Sequence, residues 1–220
     1  HQARRDELNH AELAHEVVAQ FELDSFQTVV TASSDFHDGR TISNMAVQDV
    51  VAAPIKSESK VSMDGAFALL YGWMRVASGE FDSCLVLAHS KLSEGEPRKI
   101  AAAAWDPITL RPLGLDDWTA LGLQARRYLH ARRLSAEVFA ESAARSYAAA
   151  AHNPCAQRTA WSPSEVAADP LRLLEIAPDS DGAAAVLLAS EAVASKRART
   201  PIWLRGVGLC YDAHSPGQRD

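Results

Sequence analysis

A long, almost uncharged segment in the first half of the chain constrains the fold most. Residues 63 to 78 are nearly all apolar or small, and Arg75 is the only charged residue among them after Asp64. A helix that is apolar on all sides is normally buried on all sides. Gly79 follows the segment and suits the C-cap position that ends a helix. The segment therefore predicts a central helix enclosed by other elements.

Runs typical of β-strands lie on both sides of this helix. Residues 83–89 (SCLVLAH) are a short, continuous apolar run of the kind found in central parallel strands. Residues 55–61 (IKSESKV) alternate apolar and polar positions only weakly, and we predict a strand there as well. Strand, helix and strand in this order form a right-handed crossover. The predicted class is therefore α/β.

The rest of the chain adds further helices and strands to this unit. Residues 92–115 break the pattern with prolines and glycines and are interpreted as a long excursion. Ser135 is the predicted N-cap of the helix that begins there, and Pro54 is expected to end an earlier one. The predicted helices are 9–20, 41–53, 118–133, 135–151 and 191–196, and the further predicted strands are 27–33, 181–190 and 201–209.

Charge and hydropathy exclude several classes of protein. The 220 residues carry a formal charge of -6, which argues against a nucleic-acid-binding protein, since such proteins usually present a basic face. No apolar run reaches the roughly 18 residues needed for a transmembrane helix. Residues 1–20 lack the apolar core of a signal peptide. We expect a cytoplasmic protein.

The cysteines and histidines do not form a metal site by spacing. Cys84, Cys155 and Cys210 lie far apart with no CxxC pair, as expected in a reducing compartment. We interpret all three as structural. The histidines His10, His15 and His37 have no acidic or thiol partner at metal-ligand spacing, and no metal is predicted.

Four longer stretches of the chain carry a recognisable pattern. They are NHAELAHE (9–16), ASGEFDSCLVLAHSKLSEG (77–95), residues 125–157 and residues 169–190. The most specific part is the pair HNPCAQ and DSDGAAAVLLAS at the separation seen here. Together these stretches resemble the N-terminal half of the thiolase superfamily, in particular the sterol-carrier-protein type, also called thiolase-like lipid-transfer proteins.

The resemblance implies a layered α-β-α fold with a mostly parallel, mixed sheet around the buried helix. It also implies a helical loop domain inserted between the central strands. Residues 1–91 would form the first part of the α/β domain, residues 92–168 the loop domain, and residues 169–220 the return strands.

Two departures from the family pattern affect what the chain can do. Such proteins usually open with a strand ahead of NHAELAHE, and we expect this chain to begin too late to include one. The second half of the family, with its Gly-His-Pro type histidine and second catalytic cysteine, has no counterpart in these residues. We expect either a fragment of a longer polypeptide or a half completed by another subunit.

The turn at the start of the central helix carries the candidate catalytic residues. By motif, Ser62 stands where thiolases have a cysteine, whose thiolate the helix dipole favours. A serine hydroxyl is a poor nucleophile without a nearby base. Asp64 is either a helix cap or a pocket carboxylate that orients a hydroxyl or takes a proton. His89 ends a strand, where α/β folds bind ligands, although a hydrogen-bonded structural histidine would fit there too.

Four arginines are the candidate residues for binding the nucleotide of coenzyme A. In the family the loop domain covers this part of coenzyme A, and an arginine fork suits a phosphate. A solvated helix surface explains the same residues equally well. The arginines are Arg126, Arg127, Arg132 and Arg133.

The function implied by the resemblance is that of a thiolase-like subunit acting on acyl-CoA thioesters in lipid or steroid side-chain degradation. The reaction would be C–C cleavage by retro-aldol or thiolytic chemistry, with coenzyme A as part of the substrate and no bound cofactor. The expected partners are another thiolase-like chain, in a homo- or hetero-oligomer, and a protein with an OB-fold and zinc ribbon. The alternative is an inactive subunit that scaffolds an active paralogue, and a lipid carrier without chemistry is a third hypothesis.

Overall fold

A computed structural model describes residues 2–3, 7–36, 42–154, 156–197 and 200–219. The chain divides into two compact units, which are described separately. The sheet unit contains His1–Gly95 and Ser180–Leu209, and the helical unit contains Glu96–Asp179 and Cys210–Asp220.

The described residues form seven strands and six α-helices, numbered here in chain order. The strands are β1 (Gln2–Ala3), β2 (Thr28–Ala32), β3 (Ser57–Val61), β4 (Ser83–Lys91), β5 (Val166–Ala168), β6 (Leu171–Arg172) and β7 (Asp181–Ala189). The helices are α1 (His10–Val18), α2 (Gly65–Ala77), α3 (Pro97–Ala104), α4 (Asp117–Arg132), α5 (Glu137–Ala150) and α6 (Glu191–Arg197).

The sheet unit is built on one mixed sheet with the strand order β1-β7-β4-β2-β3. β2 lies between β3 and β4 and is parallel to both, with Thr28 opposite Ser57 on one side and Cys84 on the other. β7 runs antiparallel to β4 along its whole length. The predicted crossover of two parallel strands and a helix, and with it the α/β class, is confirmed.

Helices cover both faces of this sheet, because alternate residues of the central strands point to opposite sides. On one face Val29 and Leu85 pack with Ala14 and Val18 of α1. The opposite face carries a second cluster, in which Val30, Cys84 and Val86 pack with Ala68 of α2. All five residues of β2 are buried, as expected for a strand covered on both faces. The layered α-β-α arrangement is therefore confirmed.

The prediction of a fully enclosed central helix is wrong for the described residues. α2 begins at Gly65 with Asp64 as its N-cap, and only Ala68 and Gly72 of this helix are buried. The Met74 side chain is 52% exposed. Apolar composition shows that a surface prefers to be covered, but it does not show which part of a protein covers it. Within the described residues α2 packs through one face only.

Two further predictions about regular structure are wrong. Residues 41–53 do not form an α-helix: Ser43–Val47 is a 3₁₀ helix, Pro54 lies inside another at Ala53–Ile55, and Thr41 lies outside the described residues. Ile42 and Ala52 have positive φ angles, which interrupt a right-handed helix. Residues 201–209 form no strand, since they belong to neither sheet of the described residues.

The expectation that no strand precedes α1 is also wrong. Gln2 and Ala3 pair with Gly182 and Asp181 at the edge of the sheet. α1 itself is confirmed, and Asn9 caps it through a reciprocal pair of hydrogen bonds with Glu12. The strands predicted at 27–33, 55–61, 83–89 and 181–190 and the helix at 191–196 are confirmed, with boundaries that differ by at most two residues.

The helical unit contains α3, α4, α5 and a hairpin of β5 and β6. α3 lies inside the excursion that the sequence did not resolve, and Pro97 occupies its first turn, where a missing N–H costs nothing. α4 and α5 are confirmed. Ser135 is not the N-cap of α5, since Ala136 holds that position, but the Ser135 hydroxyl oxygen accepts the Glu137 N–H at 3.3 Å.

Gly72 permits the close packing of α2 on β4, and its replacement tests this contact. A Cβ at this position would lie 2.6 Å from Cγ2 of Val86 and 3.1 Å from Cδ1 of Leu188. We expect Gly72→Leu to lower the free energy of unfolding by roughly 2 kcal/mol, because overpacking costs more than the gain in helix propensity. Ala66→Leu, on the exposed part of the same helix, is the control. Equal stability of the two variants in urea denaturation would contradict this packing.

Candidate functional site

A cleft of about 800 Å³ opens in the sheet unit where β2 and β4 end and α2 begins. Its lining includes Ser33 after β2, Asp64 and Gly65 at the start of α2, His89 near the end of β4, and Asp181 at the start of β7. Side chains gather here because parallel strands end at the same edge of a sheet. This is the edge at which α/β proteins bind their ligands.

The start of α2 supplies an electrostatically positive wall of the cleft. The Asp64 carboxylate accepts the Phe67 N–H at 2.8 Å and so acts as the helix cap. A Cβ at Gly65 would lie 3.0 Å from the Cβ of Ala88, so the helix begins in close contact with β4. The N–H groups of the first turn have no partner within the helix and attract negative charge.

Ser62 and Asp64 differ in their relation to the cleft. Asp64 lines the cleft with an exposed carboxylate, whereas Ser62 is exposed and lies outside the lining. Ser62, the predicted replacement for a catalytic cysteine, therefore lies beside the cleft rather than within it. The structure brings together two of the three predicted catalytic residues, Asp64 and His89.

His89 is buried and forms a pair with a second histidine, His10. The two rings meet edge to face with their Nδ1 atoms 3.2 Å apart, and the residues are 4% and 2% exposed. Nε2 of each ring is buried without a hydrogen-bond partner among the described residues. Burial, and after it the charges of His10 and Lys60, together lower the pKa of His89 from 6.5 to about 4. His89 is therefore uncharged at neutral pH.

Several charged groups lie near the histidine pair. An oxygen of the Glu94 carboxylate lies 3.7 Å from Nε2 of His10. The Lys91 ammonium donates to the Leu8 carbonyl at 2.6 Å and lies 3.9 Å from both Glu94 and Asp181. Opposite charges thus alternate through this part of the sheet unit, which limits the cost of burying each of them.

The Asp181 carboxylate forms hydrogen bonds with Ser93, which follows β4. Its carboxylate accepts the Ser93 N–H at 2.9 Å and the Ser93 hydroxyl at 2.6 Å. It therefore holds the segment after β4 against the start of β7. Its position in the cleft wall is explained by this structural contact.

A second polar network fixes the end of β2. Ser33 and Ser43 share a hydrogen bond of 2.6 Å between their hydroxyl oxygens, and Ser43 donates to Asp35 through its hydroxyl and its N–H at 2.7 Å each. Lys60 of β3 also pairs with Asp35. The Lys60 ammonium and the Ser43 donors hold the pKa of Asp35 well below its usual range. Asp35 is thus a fixed anion and a poor proton acceptor.

The predicted arginines lie on and just after α4, in the helical unit, where a separate cavity of about 850 Å³ is found. Arg126 and Arg133 line this cavity, and Arg126 forms an ion pair with Asp169. Arg127 and Arg132 are exposed and do not line it. The structure brings together two of the four arginines and adds Arg172 and His130, which the sequence analysis did not select.

The cysteines supply no nucleophile in the described part of the cleft. Cys84 is fully buried in β4, and burial raises the pKa of its thiol to about 11, so it stays protonated. Cys210 is exposed and free, and Cys155 lies outside the described residues.

Metal-binding groups and membrane-spanning helices are two further features that bear on function. The described residues contain no group of three or more histidine, cysteine, aspartate or glutamate side chains that could hold a metal ion. His37 lies outside them. Nor does any helix in the same part of the chain have the length and apolarity needed to cross a membrane.

Comparison with solved structures defines the class of fold. The chain superimposes with a TM-score of 0.70 on the aldolase Ltp2-ChsH2(DUF35), at 24% identity, covering 88% of this chain and 54% of that one. The TM-score with human mitochondrial 3-ketoacyl-CoA thiolase in complex with CoA is 0.63, at 12% identity, covering 86% and 61% of the two chains. The chain therefore has a thiolase-like fold.

Further comparisons agree with this class. The monomeric SCP2-thiolase-like protein type 1 of Mycobacterium smegmatis gives a TM-score of 0.54 at 18% identity, covering 89% of this chain and 45% of that one. In sequence, the chain is 30% identical over 173 residues to the acetyl-CoA acetyltransferase of Methanothermobacter thermautotrophicus, which covers 74% of this chain and 45% of the relative. No family model matches. The chain spans about half the length of these proteins.

The burial of His89 predicts a pH-dependent stability. In the unfolded chain this histidine takes a proton near pH 6.5, but in the folded chain only near pH 4. The unfolded state binds more protons between these values, so the free energy of unfolding falls as the pH falls from 6.5 to 4, by roughly 3 kcal/mol. Urea denaturation across this range measures the slope. We expect His89→Gln to flatten it and His15→Gln, at an exposed position of α1, to leave it unchanged.

Proposed function

We propose that the cleft catalyses C–C cleavage of an acyl-CoA thioester by retro-aldol chemistry. The observation that carries the proposal is the placement of an uncharged, buried imidazole and a carboxylate in the lining of the cleft, with Ser62 outside that lining. Thiolysis needs an activated nucleophile that forms an acyl-enzyme. Retro-aldol cleavage needs only a base for a hydroxyl group and a site for the developing negative charge.

The residues of the cleft suggest a role for each step. His89 Nε2 accepts the proton of a β-hydroxyl group of the substrate, the Cα–Cβ bond breaks, and a carbonyl product leaves. The electron pair of that bond forms the enolate of the remaining thioester, which then recovers a proton at carbon from His89. The N–H groups at the start of α2 stabilise the enolate oxygen. Asp64 orients the substrate hydroxyl, and Ser62 takes no part.

Similarity to known proteins supports the proposal in two ways. One solved structure with the same fold is an aldolase, and another is a thiolase in complex with CoA. The relative in sequence is an acetyl-CoA acetyltransferase. A CoA thioester is therefore the substrate class that we propose, with a fatty or steroid acyl group. The aldolase combines two named components, and we propose an OB-fold and zinc-ribbon protein or a second thiolase-like chain as partner here.

For the nucleotide end of coenzyme A we propose the cavity of the helical unit. Arg133 and Arg172 present guanidinium groups to this cavity, and Arg126 stands beside them in its ion pair with Asp169. Planar guanidinium groups bind phosphates through paired hydrogen bonds. The neighbouring Glu137 and Glu175 limit the net positive charge, so the phosphates must lie close to the arginines.

An inactive scaffolding subunit is the second candidate function, and one observation favours it. The outer surface of α2 exposes Met74, and Met63 lies exposed just before the helix, so an apolar surface is available for another chain. A purified chain that binds a thiolase-like protein, yet cleaves no thioester with or without it, would establish this role instead of the lyase.

The lyase is tested with a panel of β-hydroxyacyl-CoA and β-ketoacyl-CoA thioesters, in the presence of any co-purifying protein. We expect cleavage of the β-hydroxy substrates. His89→Gln should lower kcat by roughly a hundredfold or more, since a positioned base contributes about that much. Ser62→Ala should leave kcat largely unchanged. A loss of several orders of magnitude in Ser62→Ala would indicate covalent catalysis and contradict the proposal.

The arginine site is tested separately by binding of free coenzyme A. We expect Arg133→Gln to weaken binding about tenfold, because a hydrogen bond to a charged group contributes roughly 1.5–3 kcal/mol. Arg132→Gln, one residue earlier and outside the cavity lining, is the matched control. Isothermal titration calorimetry gives both dissociation constants. Equal weakening in the two variants would show a diffuse charge effect rather than a site.

A further inference from the structure

The contact between the buried rings of His10 and His89 depends on which ring nitrogens carry hydrogen. Their Nδ1 atoms are 3.2 Å apart, so one of them carries a hydrogen and donates it to the other. A neutral imidazole carries its hydrogen on only one nitrogen. The choice at this contact therefore decides whether Nε2 of His89, the atom left for a ligand, is a donor or an acceptor.

Glu94 decides between the two arrangements. A carboxylate accepts hydrogen bonds and cannot donate them, and the Glu94 oxygen lies 3.7 Å from Nε2 of His10. The negative charge favours a hydrogen on that nitrogen. His10 then has a bare Nδ1, which accepts the Nδ1 hydrogen of His89. Nε2 of His89 is left bare as an acceptor.

We propose that His10 and Glu94 are positioning residues that hold His89, a residue of the cleft lining, with a bare Nε2, and so make it the base for the substrate hydroxyl. This inference rests on the lyase activity proposed above. It names the residues that set the protonation of the base.

The same arrangement explains how a buried ring can take a proton during the reaction. When Nε2 of His89 receives the hydroxyl proton, the Nδ1 hydrogen of His89 can pass to Nδ1 of His10. The Nε2 hydrogen of His10 then moves towards Glu94. The positive charge is shared between two rings and faces a carboxylate, which offsets the cost of burying it. The reverse transfers return the proton to the enolate carbon.

Other charged groups near the histidine pair also affect the positive charge that the two rings can carry. The ammonium groups of Lys91 and Lys60 oppose a charge on the rings, and the latter lowers the pKa of His89. The Asp181 carboxylate lies 3.9 Å from the Lys91 ammonium and offsets its charge. Among these groups Glu94 is the acid within ion-pair distance of His10. It is therefore the group whose removal tests the inference.

The protonation state can be measured without a substrate. In a spectrum of ¹⁵N-labelled histidine, a bare ring nitrogen and an N–H resonate at distinct shifts. We expect the intact chain to show His89 with hydrogen on Nδ1 and a bare Nε2, and His10 with hydrogen on Nε2. A protonated Nε2 on His89 would overturn the inference, and this result needs no variant to fold.

Two variants test the role of the carboxylate. Glu94→Gln keeps the size of the side chain, but its amide can offer an N–H to His10. The preference of His10 for a hydrogen on Nε2 should therefore fall, and a measurable fraction of His89 should carry hydrogen on Nε2. Glu96→Gln is the matched control, because Glu96 is an exposed acid that pairs with Lys99 at 2.6 Å. Identical spectra for Glu94→Gln and the intact chain would show that Glu94 does not set the tautomer and would overturn the proposal.

Kinetics then separates this inference from the proposed function. In an active lyase, Glu94→Gln and His10→Asn should lower kcat at least tenfold with KM little changed, whereas Glu96→Gln should retain both. Unchanged kcat in Glu94→Gln would overturn the positioning role. If the intact chain cleaves no thioester, the lyase is wrong, and the tautomer measurement still decides the arrangement of the three side chains.

Discussion

The close contact between α2 and β4 is the constraint on which the rest of the sheet unit depends. Gly72 and Gly65 let the helix backbone approach Val86 and Ala88 of the strand, where any side chain would force them apart. The contact fixes the helix start beside the strand ends. It thereby places a positive helix terminus, the Asp64 carboxylate and the His89 ring around one cleft. A shift of α2 along the sheet would move the helix terminus and Asp64 together away from His89.

Most of the sheet could be predicted from the sequence, because its strands have strong local patterns. Residues 83–89 are a continuous apolar run, and a strand covered on both faces requires such a run. The partner strands and their parallel order followed from the single helix between them. The covering of α2 could not be predicted in the same way, since a sequence shows that a surface is apolar but not whether the described chain covers it. Residues 201–209 likewise have a strand-like composition, but composition does not show whether a neighbouring strand is present, and they form no strand.

The candidate site was predictable only in part, because its members are distant in sequence. Asp64 and His89 followed from their places at a helix start and a strand end. In the sequence His10 is distinguished only by its lack of metal-ligand spacing, although it contacts His89 across 79 positions of the chain. Nothing local to residue 10 indicates this partner, and the same holds for Glu94. The four arginines are close in sequence, and this proximity predicts a single basic patch. In the structure only Arg126 and Arg133 of the four line the cavity.

The exposed segment 202–209 has a consequence for the stability of its backbone. Every residue from 202 to 209 is exposed, and Ile202 is 97% exposed. Backbone amides without a neighbouring strand exchange their hydrogens with solvent at rates close to those of a free peptide. Apolar side chains beside unpaired backbone also offer a ready edge for β-type association. Rapid hydrogen exchange and a tendency to pair with another strand are therefore expected to coincide in this segment.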